Sequence, residues 1–113
     1  MGMRIEVRVV LAGRAVATDT AVCRVEIRDV SLLDAPSVTV SSARLPVSTV
    51  GGPPWSVTLE APEDAFDGRD LTVWAHLSMA GSEGIQPGDY LTVRAYPIML
   101  STCRITVELQ PVR

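Results

Sequence analysis

AVCRVEIRD, residues 21–29, is the stretch that decides the fold. Cys23, Val25 and Ile27 alternate with Arg24, Glu26 and Arg28. A period of two puts one set of side chains in a core and the other in water, which is the mark of a half-buried strand. The same alternation recurs on both sides. RIEVRVVLA (4–12) sets Ile5, Val7, Val9 and Leu11 against Glu6 and Arg8. SVTVSSARL (37–45) is a weaker, more polar strand and the candidate sheet edge. WSVTLE (55–60) turns Trp55, Val57 and Leu59 inward. LTVWAHLSM (71–79) turns Leu71, Val73, Ala75, Leu77 and Met79 inward. DYLTVRAYP (89–97) is expected to bury Leu91, Val93 and Ala95, and CRITVEL (103–109) to bury Cys103, Ile105, Val107 and Leu109.

Turn signals separate these runs: Gly13, the Gly51-Gly52-Pro53-Pro54 cluster, Asp67-Gly68, Gly81 to Gly84, and Pro87-Gly88. The pattern predicts an all-β fold: a seven-stranded antiparallel immunoglobulin-like β-sandwich with one or two short helical turns in its loops. The whole chain, 1–113, is expected to form one domain, since 113 residues leave no room for a second.

Composition narrows the function. The net charge is −3 and all ten basic residues are Arg, with no basic run, so the sequence lacks the cationic stripe of a nucleic-acid binder. No apolar run reaches the length of a membrane span. MGMRIEVRVV alternates with charges from Arg4 onward and does not read as a signal peptide. As the sequence stands the expected compartment is the cytoplasm; a preceding leader would place the chain in the cell envelope or periplasm. Cys23 and Cys103 offer two readings, buried free thiols or one disulfide closing a loop of about 80 residues. No cysteine or histidine spacing suits a metal, and no cofactor is expected.

Candidate chemistry is sparse. His76, the single histidine, falls on the outer face of its strand with Trp74. A catalytic histidine needs a positioned nucleophile or acid, and nothing nearby in sequence supplies one, so a solvated residue is expected. EDAFDGRD (63–70) fails the ligand spacing of a calcium loop and reads as a helical corner anchored by Phe66. Trp74 is expected either to lie under Arg94 in a cation–π contact or to stand free as an aromatic platform. Tyr90, Arg94 and Tyr96 are assigned to the same outer strip, and such residue types dominate binding hot spots.

RDVSLLDAPS (28–37) carries Val30, Leu32 and Leu33 in a loop. Ser31 and Asp34 have capping-box spacing, and Pro36 disfavours helix at Ala35, which predicts one helical turn across the end of the sandwich. Leu32 or Leu33 then either points onto the core edge or stands out as a docking knob.

Asp29-Val30-Ser31-Leu32 with Asp34-Ala35-Pro36, followed by GGPPWSVTLE, LTVWAHL and GDYLTVRAYPIML with its Tyr96-Pro97, resembles the YbaY-like family of bacterial envelope lipoproteins, which includes the YscW-type pilot lipoproteins of type III secretion. The resemblance implies a β-sandwich without known catalytic residues; pilot lipoproteins help place a secretin ring in the outer membrane. The expected function is therefore a non-enzymatic interaction module that holds a protein or peptide segment, through a sheet edge or through Leu32, Leu33, Trp74, His76, Arg94 and Tyr96. The alternative is a small-molecule or enzymatic site near His76, and self-association into a homo-oligomer is a third option.

Overall fold

The computed structural model describes residues 2–15, 18–32, 34–49 and 52–113. It contains β1 (Gly2–Leu11), β2 (Ala21–Asp29), β3 (Val38–Val47), β4 (Trp55–Pro62), a 3-10 helix (Glu63–Phe66), β5 (Leu71–Ser78), β6 (Tyr90–Leu91), β7 (Pro97–Ile98) and β8 (Arg104–Pro111). The strands follow one hydrogen-bonded path, β3-β2-β5-β6-β8-β1-β4, and β7 pairs with β5. The two ends of the path, β3 and β4, approach within 8 Å Cα to Cα, so the sheet is nearly closed on itself.

The all-β prediction holds, and β3 is a terminal strand as expected. The wholly antiparallel arrangement does not hold, because β1 and β8 run parallel from Glu6↔Arg104 to Leu11↔Leu109. The reason is arithmetic. With β6 and β7 counted as one interrupted leg, each leg reverses the direction of the last, so the first and the last point the same way. Once neighbours, they must pair in parallel. The result is a mixed, nearly closed sheet rather than plainly an immunoglobulin-like sandwich.

The alternation read from sequence places the core well. Ile5, Val7, Val9, Cys23, Val25, Ile27, Leu59, Leu71, Val73, Ala75, Leu77, Val107 and Leu109 are buried together. Burying such aliphatic groups contributes about 1.5–3 kcal/mol each before the entropy of ordering is charged against it. Gly81 is a required glycine: its φ is 75°, and a Cβ there would stand 3.2 Å from the Thr20 carbonyl oxygen.

The predicted sixth strand is the exception. β5 pairs Leu77 with Tyr90 and His76 with Leu91, but further along it pairs Thr72 with Pro97 and Leu71 with Ile98. The register changes by two residues, and the extra length leaves the sheet at Val93–Ala95. The faces are also the reverse of those expected. Tyr90 and Tyr96 are buried, whereas Val93 is 68% exposed and Ala95 is exposed. Opposed residues of an antiparallel pair share a face, so Tyr90 must follow Leu77 inward.

The strand orientations give the molecule two ends. At one end, here the 3-10 end, lie the start of β1, the 3-10 helix and the loops 30–37, 63–70 and 99–103. At the far end lie the loops 12–20, 48–54 and 79–89.

Candidate functional site

His76 does fall on the outer face of β5, but it is not solvated. It is 1% exposed, because residues 79–89 return across it. Asp89 ties that return down. Its Oδ2 accepts from His76 Nε2 at 2.9 Å and from the Gln86 amide at 3.0 Å, and its Oδ1 accepts from the Met79 amide at 3.0 Å. Burial pushes the Asp89 carboxyl up, yet the hydrogen bonds from His76, Met79 and Gln86 outweigh it and hold the group below its ordinary value of 3.8. Asp89 is therefore an acceptor throughout the neutral range, and His76 Nε2 carries the proton. The pair fastens a loop and offers no open face to a substrate.

Trp74 is half-buried beneath β2 side chains. Its cross-strand partner is Glu26, and the residues to either side cover the ring: Arg28 Cζ stands 3.7 Å and Arg24 Cζ 4.9 Å from its centroid. Glu26 holds the nearer arginine in place, accepting from Arg28 Nε at 2.8 Å, and accepts from the Thr39 hydroxyl at 3.2 Å. The expected partner, Arg94, lies elsewhere, 4.8 Å from the Tyr96 ring centroid. Tyr96 has its ring in the core and its hydroxyl on β8, accepting from the Glu108 amide at 2.9 Å and donating to the Glu108 carbonyl at 3.3 Å. An aromatic body inside with a bonded polar tip suits tyrosine. The outer strip of Trp74, Arg94 and Tyr96 therefore does not assemble as one surface.

The cysteines also separate. Both thiols are free: Cys23 is buried and Cys103 is exposed, against the expectation that both point inward. Cys103 precedes the first residue of β8, in a turn closed by the Thr102 amide on the Met99 carbonyl at 2.9 Å, so strand parity does not reach it. Burial pushes the Cys23 thiol up to about 12.

Ser31 does not cap a helix as expected but forms a clamp, and a single turn bond, from the Ala35 amide to the Leu32 carbonyl at 3.4 Å, follows it. Ser31 gives both its amide (2.9 Å) and its hydroxyl (2.5 Å) to Asp29 Oδ1, and the hydroxyl accepts from the Asp70 amide at 2.8 Å. The Val30 amide donates to the Asp70 carbonyl at 2.9 Å, and Arg69 Nε lies 3.7 Å from Asp29 Oδ2. The hydrogen bonds from the Ser31 hydroxyl and amide, helped by Arg69, hold the Asp29 carboxyl below its ordinary value. Serine and aspartate compete here for local backbone partners instead of capping a helix.

The clamp joins the loops 30–37 and 63–70 and leaves the apolar residues of the first outside. Leu32 is 73% exposed and does not pack on the core edge. Leu33 lies outside the described residues. Val38, opposite Asp29, continues the inward parity one step past Ile27, beyond the last core layer, and is exposed at the rim. Across the same end Met99 is 66% and Leu100 55% exposed, in the turn after β7. Phe66, expected to anchor the corner, is only partly buried against the core; Ala65 takes the buried position. Val30, Leu32, Val38, Met99 and Leu100 thus gather at the 3-10 end, while the other large exposed apolar residues described, Ile85 and Val93, lie elsewhere. Sequence reading missed Val38, Met99 and Leu100. The signal was present in PIML (97–100), an aliphatic run that alternates with nothing.

Comparison with known proteins agrees with this architecture. A solved structure described as an alternative pilotin from the type II secretion system of Vibrio cholerae superposes with a TM-score of 0.79 at 23% identity, covering 100% of this chain and 99% of that one. At that identity the likeness speaks for the fold. Among curated proteins none matches in sequence. The family described as type III secretion system lipoprotein chaperone (YscW) matches residues 2–93, most of the chain. The chain belongs to the YscW family.

Proposed function

We propose that this protein is a non-enzymatic pilot- or chaperone-type binding module of the cell envelope, which holds a segment of a secretion-system protein, a secretin in the first instance, against its 3-10 end. The observation that carries the reading is that Leu32, Val38, Met99 and Leu100 stand exposed at one end of the molecule, while His76 and Asp89 are buried. Large apolar groups exposed together at one end of a protein mark a surface that a partner covers. Family membership supplies the class of partner. His76 and Asp89, which among the described residues pair as an acid and a base would, hold the loop 79–89, which favours binding over catalysis.

Co-expression with the secretin of the same genome tests the reading. The wild-type chain should co-purify with it, and Leu100→Glu or Leu32→Glu should lose most of it while keeping the wild-type unfolding midpoint. Failure of the wild-type chain to capture or protect the secretin would remove the reading.

A further inference from the structure

A segment seated on the 3-10 end meets charge as well as aliphatic surface. Phe66, Ile98, Met99 and Leu100 line an open groove of about 510 Å³ with Asp67 and Asp70 in its wall. Leu100 and Asp67 also border the neighbouring depression, beside Glu63 and Asp64. Asp34 lies two residues after Leu32 in the loop 30–37. Among the described residues, no ion pair engages Asp34, Glu63, Asp64, Asp67 or Asp70. Arg69, the basic residue in the groove wall, is already drawn to Asp29. The apolar groove is therefore flanked along its 63–70 side by carboxylates outside any ion pair among the described residues.

That acidic flank selects the occupant. A second copy docking by its own 3-10 end would bring two sets of unpaired carboxylates together, and an anionic membrane surface would be repelled in the same way. Apolar side chains seated in the groove and flanked by Lys or Arg satisfy both features at once. Resting on the pilot-like reading of this end, we infer that the segment held here is a cationic amphipathic one, its aliphatic face on Met99 and Leu100 and its basic flanks over Glu63, Asp64, Asp67 and Asp70.

The probe is a labelled Leu/Lys peptide with helical spacing of its leucines, compared by fluorescence anisotropy with a Leu/Glu peptide of the same pattern and with a scrambled Leu/Lys peptide. The patterned Leu/Lys peptide should bind, and the other two should bind at least tenfold more weakly. The triple variant Asp64→Asn, Asp67→Asn, Asp70→Asn should lose about tenfold in affinity for it and most of the salt dependence, with an unchanged unfolding midpoint. Equal binding of the Leu/Glu peptide, or an unaltered affinity in the triple variant, overturns the inference. Secretin capture that is abolished by Leu100→Glu but untouched by the triple Asn variant would likewise overturn it, and would leave the pilot-like reading standing.

Discussion

The two ends of this nearly closed sheet treat their side chains in opposite ways. The far end takes polar groups, His76 and Asp89, and buries them beneath the loop 79–89. The 3-10 end takes apolar groups, Leu32, Val38, Met99 and Leu100, and leaves them in water. Each end has one aspartate that fastens a loop: Asp89 holds Met79 and Gln86, and Asp29 holds Ser31. The difference lies in what the fastening does. At the far end it closes a surface, and at the 3-10 end it ties residues 30–31 to Asp70 beside an open one. The more of an exposed apolar surface is fixed before a partner arrives, the more of its burial appears as affinity.

The contrast can be broken most forcefully at Asp89. Asp89→Ala would leave a buried histidine and two backbone amides without their acceptor, and should cost about 3 kcal/mol or more in urea unfolding. The same residue sets an acid dependence. Its pKa is depressed in the folded state, so its contribution is present above 3.8 and is lost as pH falls through the lower folded value. The acid limb of a stability-against-pH curve should flatten in Asp89→Asn. An unaltered limb would show that the carboxylate does not carry the latch.

Tyr96→Phe comes next. It removes the hydroxyl that both donates to and accepts from Glu108 and should cost about 1–2 kcal/mol, with accelerated exchange of the Glu108 amide. Wild-type stability in that variant would mean that the hydroxyl does not bridge the interrupted strand to β8. Ser31→Ala, at the other end, should cost about 1 kcal/mol and return the Asp29 carboxyl toward its ordinary value, visible by NMR titration. The smallest effect belongs to the open surface. Met99→Ser should leave stability within about 0.5 kcal/mol of wild type, because the side chain is already in water. A larger loss would mean that Met99 supports the fold and is not held free for a partner.

Much of the fold was legible because β1, β2, β4, β5 and β8 are simple alternators, and their inward sets are the core. Three features were not legible, each for a physical reason. In DYLTVRAYP the aliphatic residues occupy alternate positions and mimic an inward set. The tyrosines win the interior because their rings bury more apolar surface and their hydroxyls find backbone partners at Arg14 and Glu108. His76 was placed on the correct face, but the covering of that face by residues 79–89 is a long-range event with no local signal. The β1–β8 pairing was hidden in the same sense: direction follows from counting legs, adjacency does not. At the candidate site Leu32 stood out in sequence as an apolar residue in a loop, with its direction undecided. The clamp of Asp29 and Ser31 on Asp70 decides it, across 39 residues of chain.

Hydrogen exchange of the chain alone and in the presence of the secretin of the same genome tests the central claim most directly. New protection should fall on residues 30–32, 63–70 and 99–103, and the loop 79–89 should exchange as before. Protection concentrated on 79–89, or spread along the outer face around Trp74, would contradict the assignment of the 3-10 end as the binding surface.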